Sequence, residues 1–111
     1  MQELMNGVFS GTINEIVRSD GSSYDHDNWR MEYQGLRFIA ETKSSEFFEG
    51  KVMLKFVDIN DAEHYLRTGV GRLSWNMDLS KGVLVSKNSR YYFTRDSKGF
   101  LFNLNPNRLE G

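Results

Sequence analysis

The chain has 111 residues and a mass of 12.9 kDa, enough for one hydrophobic core and too short for two. Its 39% hydrophobic, 14% aromatic and 26% charged residues exclude a disordered tail, a collagen-like repeat and a bundle of membrane-spanning helices, since no apolar run approaches the ~20 residues of a bilayer span. It has no cysteine, which excludes disulfides, thiolate metal sites and cysteine nucleophiles, and its formal net charge of -1 argues against bulk polyanion binding.

The dominant hydrophobic period is two, the mark of half-buried strands. Phe9, Gly11, Ile13 and Val17 alternate with polar residues over 7–18, a first strand whose pattern breaks at Glu15. Residues 19–28 are polar and turn-forming, hence a loop. Trp29, Met31 and Tyr33, then Leu36, Phe38 and Ala40, alternate on either side of Gln34-Gly35. A two-residue turn there predicts a hairpin that pairs Tyr33 with Leu36, Met31 with Phe38 and Trp29 with Ala40, with Glu32 opposite Arg37 on the other face. Val52, Leu54 and Phe56 predict a strand near 50–58. Asn60 followed by Glu63 reads as a helix cap, Ala62, Tyr65 and Leu66 share a helical face, and Gly69 suits a helix end, which predicts one short helix over 61–68. Further strands are predicted around Leu73–Met77, Val83–Ser86, Tyr91–Arg95 and Phe100–Leu104, with turns at Lys81-Gly82, Lys87–Ser89 and Asp96–Gly99.

The expected fold is therefore mainly β, a single domain over 1–111. About eight antiparallel strands form a small closed or strongly curved barrel-like sheet with one short helix; a two-sheet sandwich is the alternative.

Catalytic motifs are missing. No phosphate-binding loop, His-Glu-X-X-His or Gly-X-Ser-X-Gly pattern occurs, and the two histidines are His26 and His64. Asp25, His26 and Asp27 form the most site-like cluster, able in principle to bind a cation with Asp20 and Glu32. The stretch reads better as a solvated acidic loop, because adjacent loop residues seldom ligate one ion without help from elsewhere. His64 reads as an exposed helical histidine. No cofactor is expected.

Charge is uneven along the chain: residues 1–78 carry 8 basic and 13 acidic groups, residues 79–111 carry 6 and 2. Around the predicted last hairpin, Arg90, Tyr92, Arg95 and Lys98 interleave cations with aromatics, a chemistry that can stack bases and track phosphates. Lys98 to Phe102 resembles the basic-Gly-aromatic strand motif of RNA-recognition domains over five residues, without the helix that should follow, and implies no family. Phe47 and Phe48 are adjacent, so on a strand one must face outward and mark a partner surface. Trp29 and Trp75 are expected in the core; whichever is exposed instead becomes an interface anchor.

The function these features favour is a non-enzymatic interaction domain, of adaptor, inhibitor or immunity type. It would bind a protein partner through Phe47, Phe48, Arg90, Tyr92, Arg95 and Lys98. One alternative is a small-ligand-binding barrel lined by Trp29, Met31, Tyr33, Phe38, Trp75 and Met77. Another is a single-stranded nucleic-acid binder using the C-terminal hairpin. Unclosed sheet edges would offer a route to a homodimer. The first residues, Met1 to Gly7, lack the basic region and apolar run of a secretory signal, so the expected location is cytoplasmic.

Overall fold

A computed structural model of the chain describes residues 8–42 and 51–96. They form eight strands: β1 (Val8–Arg18), β2 (Arg37–Thr42), β3 (Lys51–Val52), β4 (Leu54–Asp58), β5 (Asp61–Arg67), β6 (Gly71–Trp75), β7 (Lys81–Ser86) and β8 (Ser89–Arg95). One 3-10 helix, Trp29–Tyr33, precedes β2. All eight strands belong to a single antiparallel sheet in the order β3-β6-β7-β8-β1-β2-β4-β5.

The alternation of the sequence sets the inner face. Phe9 and Ile13 on β1, Phe38 and Ala40 on β2, Leu54 and Phe56 on β4, Leu66 on β5, Leu84 on β7, and Tyr91 and Phe93 on β8 are buried in one cluster. Ring contacts show how far the sheet bends. Phe9 meets Trp75 with centroids 5.4 Å apart, although β7 and β8 lie between their strands. Phe56 meets Phe93 at 5.7 Å, with β1 and β2 between. Across a flat sheet such pairs would be ~14 Å apart. The sheet is therefore strongly curled around its aromatic core. Its end strands, β3 and β5, do not pair with each other, so of the two forms expected, closed or strongly curved, the described strands show the curved one. The sandwich alternative falls, because the described strands make one sheet.

The break at Glu15 is a β-bulge. Ile13 pairs with Phe93 and Glu15 with Tyr92, so Asn14 is the extra residue, and Ile16 rather than Glu15 turns inward. Gly11 sits against the backbone of β8: a Cβ there would lie 2.0 Å from the Thr94 carbonyl oxygen.

Four expectations are corrected. The hairpin across Gln34-Gly35 does not form. Phe38 pairs with Gly11 and Asp58, Ala40 with Phe9 and Phe56, and residues 29–33 wind into the 3-10 helix. The period-two pattern reports burial there (Tyr33, Phe38 and Ala40 are inside) but not the backbone. Glu32 and Arg37 part company: Glu32 meets His64, and Arg37 grips Asp96 with a two-pronged contact, both distances 3.0 Å. The helix over 61–68 is instead strand β5, and His64 is a strand residue. Asp58 accepts the Asn60 amide at 2.8 Å and Asp61 accepts the Glu63 amide at 3.0 Å, so the acids shape a hairpin turn rather than cap a helix. The predicted Lys81-Gly82 turn lies within β7, and the real turn is at 76–80, where Asn76 accepts the Lys81 amide at 3.0 Å. Trp29 is 54% exposed rather than core, whereas Trp75 does pack against Phe9 and Phe93. The predicted 100–104 strand, its turn, and Phe47, Phe48 and Lys98 lie outside the described residues.

Candidate functional site

The 3-10 helix is held at both ends by its own sequence. Asn28 caps it, accepting the Arg30 amide at 2.9 Å. Gly35, at φ 91°, turns the chain into β2, a conformation that favours glycine. The turn is clipped to β1 around the bulge: the Gly35 amide donates to the Ile13 carbonyl (2.7 Å), the Ile13 amide to the Leu36 carbonyl (2.9 Å), and the Ile16 amide to Gln34 Oε1 (3.1 Å). Tyr33 points into the core and Trp29 projects out, the two rings meeting edge to face at 6.3 Å.

Arg30 lies between two rings. Its guanidinium is 4.5 Å from the Trp29 ring and 4.7 Å from the Tyr24 ring. Its Nε is buried and has no hydrogen-bond partner among the described residues. Tyr24 is fixed in turn by its hydroxyl, which donates to the Asn88 carbonyl at 3.1 Å and contacts the buried Ser89 hydroxyl. This hydroxyl ties the 19–28 loop to the turn between β7 and β8.

Between these elements lies an open cleft of about 210 Å³. Trp29 and Arg30 form one wall, Arg67, Gly69 and Val70 another, and Ser86 to Ser89 a third, with Tyr91 completing the lining. Among the described residues, three cationic side chains, Arg30, Arg67 and Lys87, line it, and no carboxylate does. Val70, 50% exposed, adds apolar surface beside the indole of Trp29. The cleft thus combines an accessible aromatic face, cationic side chains and hydroxyl and amide groups, which suits an anionic group carried next to an apolar one.

A second cluster stands on the far side of Tyr33. His64 Nδ1 is 2.9 Å from Asp58 Oδ2, His64 Nε2 is 2.9 Å from Glu32 Oε2, and the imidazole stacks on Tyr33 at 4.7 Å. Asp58, then Glu32, raise the His64 pKa above its ordinary value, because both carboxylates favour the charged ring. The His64 contact, then the Asn60 amide, hold the Asp58 carboxyl below its usual range. With each ring nitrogen directed at a carboxylate, His64 acts as a clamp between the β4–β5 turn and the 3-10 helix.

The other predicted site residues are dispersed. Asp25, His26 and Asp27 are exposed, and no group of three or more potential ligands able to hold a metal ion occurs among the described residues. Arg90 Nε donates to the Ser19 carbonyl at 2.9 Å, and Arg95 Nε to the Leu79 carbonyl at 2.6 Å, so both tether loops. Tyr92 borders a shallow groove with Trp75 and Lys81. Of the six ligand-lining candidates, Tyr33 and Phe38 lie in the core cluster, Met31 and Trp75 pack against it, and Trp29 and Met77 are exposed.

Sequence reasoning missed Arg30, Arg67, Val70 and Lys87. They come from three separate segments, and no local spacing joins them. The readable signal was the condition placed on the tryptophans, that the exposed one becomes an anchor. No helix among the described residues is long and apolar enough to cross a membrane. The chain matches no protein-family model, and comparison with curated proteins and with solved structures finds no match to either.

Proposed function

We propose that this chain is a non-enzymatic interaction domain that binds an acidic, partly apolar segment of a partner protein in the Trp29–Arg30 cleft. One observation carries the reading: Trp29 stands exposed on a short helix pinned at both ends, over a cleft that the described residues line with three cations and no carboxylate. Trp and Arg are the residues most enriched among binding anchors, and a pre-fixed anchor loses little entropy on binding. The formal net charge of -1 makes this positive site local, so it selects an acidic segment rather than any polyanion. The clamped His64, with each ring nitrogen directed at a carboxylate, supports a non-catalytic role.

Peptide display against the immobilised protein tests this. The expected outcome is enrichment of peptides that carry Asp or Glu beside an aromatic or aliphatic residue. Trp29→Ala should weaken their binding by about thirtyfold or more, and Lys87→Glu should weaken it further at low salt than at high salt. Selected peptides without acidic bias, or binding indifferent to Trp29→Ala, would overturn the reading. So would Trp29-dependent binding of single-stranded oligonucleotides with a steep salt dependence, because the Arg30–Trp29 stack could also hold a base.

A further inference from the structure

Six glycines stand among the described residues, and five of them answer a demand of the fold. Gly21 and Gly35 adopt positive φ. At Gly11, Gly71 and Gly82 a Cβ would lie 2.0, 2.5 and 2.7 Å from an atom of the neighbouring strand. Gly69 answers neither demand. Its φ is not positive, and a Cβ there would meet nothing within 4 Å. It belongs to the link between β5 and β6, is exposed, and lines the cleft beside Val70.

The link does not use glycine as a hinge either, because it is fastened on both sides. The buried Thr68 ties it to β4: the Thr68 amide donates to the Leu54 carbonyl at 2.9 Å, and the Leu54 amide donates to the Thr68 hydroxyl at 3.1 Å. That hydroxyl donates in turn to the Gly69 carbonyl at 2.8 Å. On the other side Gly71 pairs with both Val52 and Ser86. A glycine in so fixed a link adds to the entropy lost on folding and returns no contact within the chain.

We infer that Gly69 is a recognition residue of the cleft, whose missing side chain leaves room for the main chain of the bound acidic segment to lie against the β5–β6 link, an assignment that rests on the proposed function. Glycine is the residue that lets a second backbone approach closely. The other two walls carry long side chains, Trp29 and Arg30 in one and Lys87 in the other. These meet the segment's apolar and acidic side chains, and the Gly69 wall takes its main chain. The cleft then fixes where the segment runs as well as the charge it carries.

Fluorescence anisotropy with the display-selected acidic peptide, fluorescein-labelled, tests this on Gly69→Ala and Gly69→Val beside their thermal melts. Both variants should melt as the unchanged chain does, since the added atoms meet nothing in the fold. Affinity should fall by about fivefold or more for Gly69→Ala, the cost of one methyl group forced into a filled space, and further for Gly69→Val. The size series separates room from flexibility: a hinge would be stiffened by Ala, and Val would add little. Affinity unchanged in both variants, with binding still lost in Trp29→Ala, overturns the inference and leaves the cleft reading standing. Equal losses for Ala and Val, or losses that track a lower melt, assign Gly69 a structural role and overturn it too. Binding indifferent to Gly69 and Trp29 alike, or a display that selects no acidic peptide, overturns both readings.

Discussion

Two groups of aromatic side chains in this protein meet different neighbours. Phe9, Phe38, Phe56, Phe93 and Trp75 meet one another, mostly edge to face, with centroids 4.7–6.1 Å apart. Tyr24, Trp29 and Tyr65 are each approached by a cation: Arg18 and Arg30 over Tyr24, Arg30 over Trp29, and Lys55 over Tyr65. The first group comes from regular strands, where alternation alone sends every second residue inward. Of the second, Tyr24 and Trp29 come from the loop and the 3-10 helix, and Tyr65 from the outer face of the end strand. In this second group the cation gains from the ring face, even where, as at Arg30, part of the guanidinium is buried. Ring chemistry alone does not separate the two groups; the backbone beneath them does.

The sharpest way to break this contrast is to remove a ring from the inner group. Phe93, 1% exposed, touches Phe9, Phe38, Phe56 and Trp75. Phe93→Ala should cost about 3–5 kcal/mol, which for a domain of this size removes much of the stability. Chemical denaturation with the midpoint read by tryptophan fluorescence measures it. A loss below about 1 kcal/mol would mean that the core is not organised as described.

Backbone approach is tested next. Gly11→Ala places a Cβ against the Thr94 carbonyl, which is main chain and cannot swing aside. Strands β1 and β8 must separate, at a cost of about 3 kcal/mol. The same substitution at Gly69, where a Cβ meets nothing within 4 Å, should be close to neutral by thermal melting.

The His64 clamp gives a smaller, pH-dependent effect. The His64 pKa is raised from 6.5, so its contribution is complete below about pH 6.5 and fades as pH climbs through the raised folded value. The Asp58 pKa is lowered from 3.8, so its contribution is complete above that value and fades as pH falls through the lowered one. The melting temperature should therefore decline from about pH 6 towards pH 9, short of the tyrosine range, and His64→Gln should flatten that limb. An unchanged alkaline limb in His64→Gln would show that the contacts with Asp58 and Glu32 hold nothing in place.

Much of the sheet was legible in the sequence. The 7–18 strand, its break at Glu15 and the Tyr91–Arg95 strand appear where period two placed them, because burial on one face writes itself directly into alternation. The single strand expected near 50–58 is instead two, β3 and β4, parted at Met53 although Val52, Leu54 and Phe56 are all buried. Past the bulge in β1 it is Ile16 rather than Val17 that joins the core. Two segments were misread for one reason. Residues 29–33 and 61–67 lie at the margins of the sheet, where packing does not dictate the backbone, and local signals there are ambiguous. Trp29-Met31-Tyr33 alternates like a strand yet winds into a 3-10 helix behind the Asn28 cap. Asn60 and Glu63 resemble a capped helix, yet the acids at 58 and 61 form a hairpin turn. The cleft was less legible still. Trp29, Arg67 and Lys87 are brought together by the curl of the sheet, which hydrophobic period does not encode.

On the proposed reading, Trp29 serves recognition while the inner rings serve stability. The most direct measurement is therefore made on Trp29→Ala alone, its thermal melt beside its affinity for a display-selected acidic peptide. Melting should shift by an amount worth about 1 kcal/mol or less, because the ring is more than half exposed, while affinity falls by about thirtyfold or more. A variant that melts as low as Phe93→Ala, or one that keeps its affinity for the peptide, would contradict the account.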